Sequence, residues 1–236
     1  MNKYRKILFQ HLDGIVLIPT IIALDKIGLI NSINKNKTIT INDIAKEIKV
    51  NPGYLNVSLR ILHCSNILKF KSGNNELEHQ YTKNQRFSNL IDNIHLIKHI
   101  YTITDYHVNF NKLNDLQLTQ YSKLLDDITF LLFDNKNQLS KTLYNNLEGL
   151  IIGPLLANLS FYKHLEYKSG KIQFINLKSS VKLSIIKVLK TLEFISDQKN
   201  KNQMTEKGDF FFKKSSSYGV TVSYLNTLIN IDNLLI

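Results

Sequence analysis

The sequence predicts a mainly α-helical protein with small β-hairpins, built as two winged-helix-like lobes in a degenerate tandem repeat linked by helices. Three observations carry that prediction. An apolar segment with an internal proline occurs twice, as LDGIVLIPTIIAL over 12–24 and as LEGLIIGPLLANL over 147–159. After the first copy, two short helical patterns flank a tight turn and lead into a hairpin pattern. The stretch that closes this first lobe, HQYTKNQRF (79–87), has a later parallel in QMTEKGDFF (203–211).

The elements follow in order. Over 13–30 the apolar residues Ile15, Leu17, Ile21, Ile22, Leu24 and Ile27 fall at helical spacing, with Gly28 as the stop. Pro19 kinks this helix, because it lacks an amide donor and clashes with the preceding turn. Next come a strand at 38–41, a helix over 42–48 capped by Asn42, and a turn at 49–52. A second helix runs to about residue 66, with Asn51 as cap and Pro52 in its first turn. A wing hairpin joins 67–70 to 77–82 through a polar turn at 72–75. Helix is predicted over 87–110 and again over 117–145. The second copy continues with a strand at 171–177 and a helix over 180–195, and lacks the shorter helix of the helix-turn-helix. The resulting division is a first lobe at 1–87, a helical linker at 88–146, an abbreviated second lobe at 147–217 and an apolar C-terminal helix at 218–236.

A chain of 236 residues has ample length for a buried core, and 43% hydrophobic residues is ordinary for a globular protein. The opening MNKYRKILFQHLDG lacks a continuous apolar region with a small-residue cleavage site, so it does not read as a signal peptide. No uncharged apolar run approaches the roughly 20 residues that span a bilayer. Cys64 is the one cysteine, which rules out an intramolecular disulfide or a cysteine-based zinc site. Together these features lead to an expectation of a cytoplasmic protein. The net charge of +11 invites a nucleic-acid reading. Its character argues against one, since only Arg5, Arg60 and Arg86 are arginines, and scattered lysines are solvated point charges.

Candidate chemistry is sparse. His95 and His99 stand four apart on one helical pattern, with Asp92 and His107 near in sequence, but no H-E-x-x-H pattern completes a metal site. The expectation is that these histidines are polar surface or hydrogen-bonded core residues and that no metal is bound. Asp13 and Glu148 occupy equivalent places in the two copies, where an acid near a helix start favours a structural role. Asp126 and Asp127 form no convincing catalytic pair. Cys64 lies beside His63, but adjacent helical residues point about 100° apart, so Cys64 reads as inert packing.

The stretches HLDGIVLIPTIIALDKIGL, INDIAKEIKVNPGYLNVSLRILHCSNIL and YTKNQRF resemble the N-terminal region of class I S-adenosylmethionine-dependent methyltransferases of the small-molecule, O-methyltransferase-like kind. GDFFFKKSSSYGVTVSYLNTLINIDNLLI is similar to the segment leading into their catalytic domain. The resemblance implies a region that dimerises and helps to cover substrate, its winged helix no longer used on DNA. One departure matters. The glycines at 14, 28, 53, 73, 149, 153, 170, 208 and 219 include no G-x-G pair and none follows Gly219, so the cofactor-binding turn of that family is absent from this sequence.

The functional expectation is therefore a methyltransferase-like accessory or dimerisation protein with no catalytic or cofactor residues of its own. It would self-associate or pair with a separately encoded methyltransferase core, on which S-adenosylmethionine would be bound. The expected interface residues are Leu17, Pro19, Ile21, Leu24, Leu150, Ile152, Pro154, Leu156, Tyr224, Leu225 and Leu228. The alternative is a winged-helix DNA-binding regulator using Tyr54, Asn56, Arg60, Lys69 and Lys71. The recognition helix offers few polar readers near its N-terminus, where base edges are met.

Overall fold

The computed structural model describes residues 3–168, 171–198 and 201–236. Helix α1 (Lys3–Lys26) leads into α2 (Leu29–Lys35), strand β1 (Thr38–Thr40), α3 (Ile41–Ile48) and α4 (Pro52–Cys64). The hairpin β2 (Leu68–Lys71) and β3 (Gln80–Lys83) follows, then α5 (Gln85–Asp92), α6 (Ile94–Tyr101) and α7 (Thr104–Val108). Two long helices, α8 (Asp115–Asp134) and α9 (Lys141–Phe161), precede the hairpin β4 (Leu165–Lys168) and β5 (Lys171–Phe174). Helix α10 (Ser179–Thr191), the hairpin β6 (Ile195–Gln198) and β7 (Lys201–Met204), and α11 (Glu206–Lys213) complete the second lobe. Three short helices end the chain: α12 (Gly219–Ser223), α13 (Leu225–Leu228) and α14 (Ile231–Leu235). The protein is mainly helical with small antiparallel strand pairs, as its sequence predicts.

The chain divides into two compact units. One comprises Met1–Ile15 and His99–Leu225; the other comprises Val16–Lys98 and Asn226–Ile236. These boundaries differ from the four-part division read from the sequence, because the opening half of α1 packs with the second lobe and the chain's last segment packs with the first.

The 16–98 unit is a complete winged helix. Its sheet has the order β1-β3-β2, and Tyr81 on the central strand stands opposite both Ile39 and Phe70. Tyr81 is fully buried and donates its hydroxyl to Asn56 Oδ1 at 3.3 Å. Helix α3 starts one residue earlier than expected, because Thr40 rather than Asn42 is its cap: Thr40 Oγ1 accepts from the Asp43 amide at 3.1 Å. Asn51 caps α4 as expected, accepting from the Gly53 amide at 2.9 Å. The apolar tail is not one helix. Its last piece, α14, packs on α4, the Asn51 amide donates to the Leu235 carbonyl at 2.7 Å, and Lys26 pairs with Asp232 at 3.0 Å. The helix expected over 87–110 is likewise divided, into α5, α6 and α7.

The other unit holds the abbreviated lobe. Between β5 and α10 no short helix intervenes, so the order is α9, hairpin, α10, hairpin, α11. The hairpins β4–β5 and β6–β7 hold more β structure than the single strand the sequence predicts. Both lobes close alike: β3 is followed by the cap Asn84 and α5, and β7 by the cap Thr205 and α11. Helices α8 and α10 pack together, and α9 runs unbroken through Pro154 as α1 does through Pro19. Helix α1 is long and apolar enough to cross a membrane by length and composition, although Asp13 interrupts its apolar run, and 67% of that stretch is buried in the protein. Burial on this scale is the mark of a core helix.

The repeated segment has a structural cause. Each residue of the first copy has its counterpart 135 positions later, Gly14 at Gly149 and Pro19 at Pro154. A Cβ on Gly14 would lie 2.1 Å from the Asn146 carbonyl oxygen, and one on Gly149 would lie 2.2 Å from His11 Cα. Asn146 and His11 are themselves counterparts, each three residues before its glycine, so the contact is reciprocal. Asn146 Nδ2 donates to the Gln10 carbonyl at 2.9 Å, and Asn145 Nδ2 to the Gln10 side chain at 2.6 Å, where Gln10 and Asn145 are again counterparts. The helices α1 and α9 therefore cross about a local pseudo-twofold axis, as paired copies do in an isologous dimer. Both glycines are present because their backbones touch the facing helix.

Gly149→Ala is expected to lower stability by about 1–3 kcal/mol through overpacking. Gly219→Ala, at a helical position where a Cβ meets nothing within 4 Å, is expected to leave stability unchanged or slightly raised. Urea unfolding of the two variants checks both.

Candidate functional site

A buried polar chain lies where α1 and α9 cross. His11 and Glu148 are 0% and 1% exposed, and Tyr218 is wholly buried. His11 Nδ1 is 2.7 Å from the Tyr218 hydroxyl, and His11 Nε2 is 3.8 Å from Glu148 Oε2, too long for a hydrogen bond. Lys207, from the first turn of α11, pairs with Glu148 Oε1 and donates to the Leu192 carbonyl at 2.8 Å. Its ammonium also sits 4.5 Å from the centre of the Phe194 ring. Phe211 stacks on the His11 ring at 4.8 Å.

Electrostatics fix the charge states. Burial alone would raise the Glu148 carboxyl, but the His11 ring edge that faces it and the Lys207 ammonium paired with it outweigh burial and hold the group below the usual range. Burial lowers His11, more strongly than Glu148 supports its charged form. Burial and then the charge of Glu148 raise the Tyr218 hydroxyl, which keeps its proton. In the tautomer of neutral His11 that turns Nε2–H toward the carboxylate, Nδ1 is left to accept from the Tyr218 hydroxyl. The cluster is one ion pair plus neutral donors, and it is charge-balanced.

The Glu148–Lys207 pair of this cluster lies at the buried side of a cavity of about 600 Å³, within the size range of small-molecule sites. Tyr4, Ile7, Leu139, Tyr144 and Leu192 wall it, and Glu148 and Lys207 lie among its lining residues. Exposed Lys3, Lys136, Asn137, Lys141 and Glu193 ring its mouth. All of these belong to one unit.

A second buried group sits apart from the cavity. His107 is 2% exposed and neither ring nitrogen has a hydrogen-bond partner; the Tyr121 hydroxyl is likewise unpartnered, with the two rings 5.9 Å apart. Burial lowers His107 to about 3.

The residues singled out in the sequence are placed as follows. Leu17, Ile21, Leu24, Leu150, Ile152, Leu156 and Leu225 are at most 3% exposed, and Pro19 and Pro154 are also buried. They are core residues of the chain, so the interface expected on them is already occupied; of that set only Tyr224 is exposed, with Leu228 intermediate. Asn56 is buried and bonded to Tyr81 and Glu76, which removes it from any base-reading role. Tyr54, Arg60, Lys69 and Lys71 are exposed. His95 and His99 are exposed on α6, and among the described residues no group of three His, Cys, Asp or Glu side chains could hold a metal. Cys64 is exposed rather than packed. Asp126 pairs with Lys187 at 3.2 Å, and Asp127 is exposed. Asp13 and Glu148 lie mid-helix, not near helix starts, and only Glu148 is buried. Sequence reasoning does not find His11, Lys207 or Tyr218. The one signal present is His11, a polar residue before LDG whose counterpart, Asn146, is of a different kind.

Two outcomes follow. Lys207→Met strands a buried carboxylate and is expected to cost about 3–5 kcal/mol, part of which Glu148→Gln recovers in the double variant. A histidine lowered by folding holds fewer protons than the unfolded chain between its two values, so His107 lends stability in full above about pH 6.5. That stability is lost as pH falls toward about 3. His107→Leu is expected to flatten the fall in unfolding free energy across this window by up to about 1.4 kcal/mol per pH unit. Denaturant titrations at stepped pH test it.

Comparison with known families gives two matches. Residues 4–70 match the AprA N-terminal domain, and residues 148–236 match the AprA winged helix domain. The winged-helix match falls on the second, abbreviated lobe and extends through the C-terminal segment. No curated protein matches the chain. Two stretches of this chain, one on each side of the α7–α8 region, are thus similar to AprA domains.

Proposed function

We propose that the chain is a methyltransferase-like accessory protein, non-catalytic alone, that self-associates or pairs with a separately encoded methyltransferase core. S-adenosylmethionine would be held by that core. The resemblance of 11–87 and 203–236 to the front region of small-molecule methyltransferases supports this reading.

One observation favours a protein partner over DNA. A recognition helix reads base edges with its N-terminal residues; at the start of α4 the Asn51 amide is taken by the Leu235 carbonyl of the chain's own α14, while residues 51–54 stay exposed. The exposed residues of α4 include Pro52, Gly53, Tyr54 and Val57 near its start and Arg60 further on, so Arg60 is the one charged side chain among them. The wing sets Glu76 and Glu78, which repel phosphates, among Lys69, Lys71 and Lys83, so it is no uniformly basic patch. With the expected interface helices buried, the assembly surface falls on side chains still exposed, among them Val220 and Tyr224, four residues apart and 71% and 61% exposed.

Light scattering after size exclusion, on the chain alone and co-expressed with candidate glycine-rich methyltransferase cores, tests the reading. A stable oligomer or heterocomplex is expected, broken by Val220→Glu with Tyr224→Glu while circular dichroism is unchanged. A monomer in every mixture counts against it. Sequence-specific duplex binding at about 150 mM salt, lost on Arg60→Ala with Lys69→Ala and Lys71→Ala, would establish the regulator instead.

A further inference from the structure

We propose that the cavity above the Glu148–Lys207 pair binds a small aromatic carboxylate carrying a hydroxyl at the end opposite its carboxyl group. The inference concerns one unit of the chain and does not rest on the assembly reading. It follows from the polarity of the two ends of the cavity and the character of its walls.

The mouth is cationic. The lining holds four lysines, Lys3, Lys136, Lys141 and Lys207, against two acids, Glu148 and Glu193, a balance of +2. Glu193 is engaged by Lys136 at 3.4 Å, and Glu148 by Lys207. The surplus charge therefore sits on Lys3 and Lys141, both at the exposed rim. A carboxylate placed there meets the Lys141 ammonium and, beside Tyr4 and Glu206, the Lys3 ammonium, without being fully desolvated. Between the rim and the buried side, the Tyr4 and Tyr144 rings and the Ile7, Leu139 and Leu192 side chains form walls suited to an aromatic body.

The buried side selects the distal group. Glu148 is buried, and a carboxylate offers about four lone-pair sites, of which Lys207 takes one by hydrogen bond and His11 none. It can accept further donors. A cationic donor would add a buried charge to a pair that is already balanced, at a steep desolvation cost. An apolar end would leave the carboxylate's remaining sites dry and unbonded. A neutral hydroxyl meets both conditions: it donates to Glu148 and brings no charge. No covalent step is involved; the site binds.

Isothermal titration calorimetry with three probes tests this. 4-Hydroxyphenylacetate has both ends, phenylacetate lacks the hydroxyl, and 4-ethylphenol lacks the carboxylate. The hydroxy acid is expected to bind saturably, with one site per chain, and roughly tenfold or more tighter than either partial probe. Lys3→Glu with Lys141→Glu, both at exposed positions, is expected to weaken it about tenfold with unchanged circular dichroism. Leu139→Trp, which fills the cavity, is expected to abolish binding. Absence of saturable binding by all three probes would overturn the proposal. So would equal affinity for phenylacetate and the hydroxy acid, or binding indifferent to the rim substitutions.

Discussion

The close crossing of α1 and α9 is the constraint on which the 1–15 and 99–225 unit depends. Two glycines that each touch the facing backbone bring the helix axes together, and no larger residue could stand there without moving one of the two helices. That proximity sets His11 beside Glu148 and places both within reach of α11 and the turn bearing Tyr218. The ion pair with Lys207 then ties α11 to the crossing, and the cavity is the space left between these elements. Helix crossing, buried charge and cavity are one construction.

Burying Glu148 carries a cost that its surroundings offset in a specific way. A carboxylate out of water is tolerated when paired and hydrogen-bonded, and replacing such a pair with apolar residues is often neutral or stabilising. Stability is therefore a weak reason for this pair to exist. The place of Glu148 among the lining residues of an open cavity leaves it able to accept a further donor there. The unpartnered His107 and Tyr121 show the opposite case, a polar pair enclosed away from that cavity.

Much of the architecture is legible in the sequence, and the reason differs by element. The lobe over 38–83 can be read closely because its signals are local: a cap before a proline-led helix, then apolar alternation around a polar turn. The long helical patterns overstate the real helices, since α5, α6 and α7 break at Asn93 and at 102–103, where neither glycine nor proline marks the ends. The expected interface lies instead in the core, for a tertiary reason. Apolar residues such as Leu17, Ile21, Leu150 and Ile152 look alike whether another protein or the chain itself covers them, and here the chain does. The polar cluster is half visible: Glu148 stands out by its place in the repeat, but Lys207 lies 59 residues away and only the fold brings them together.

The repeat has one more consequence. In a dimer of identical copies every substitution appears on both sides of the axis, so a charge buried on one side must be buried on the other. Here the two copies share a chain, and each side can be written independently. One side leaves Asp13 at the surface, while the other sinks Glu148 against His11 and Lys207. Fusion frees the interface from its own symmetry, and a single cavity with distinct ends becomes possible where a symmetric pair would be bound to make two alike.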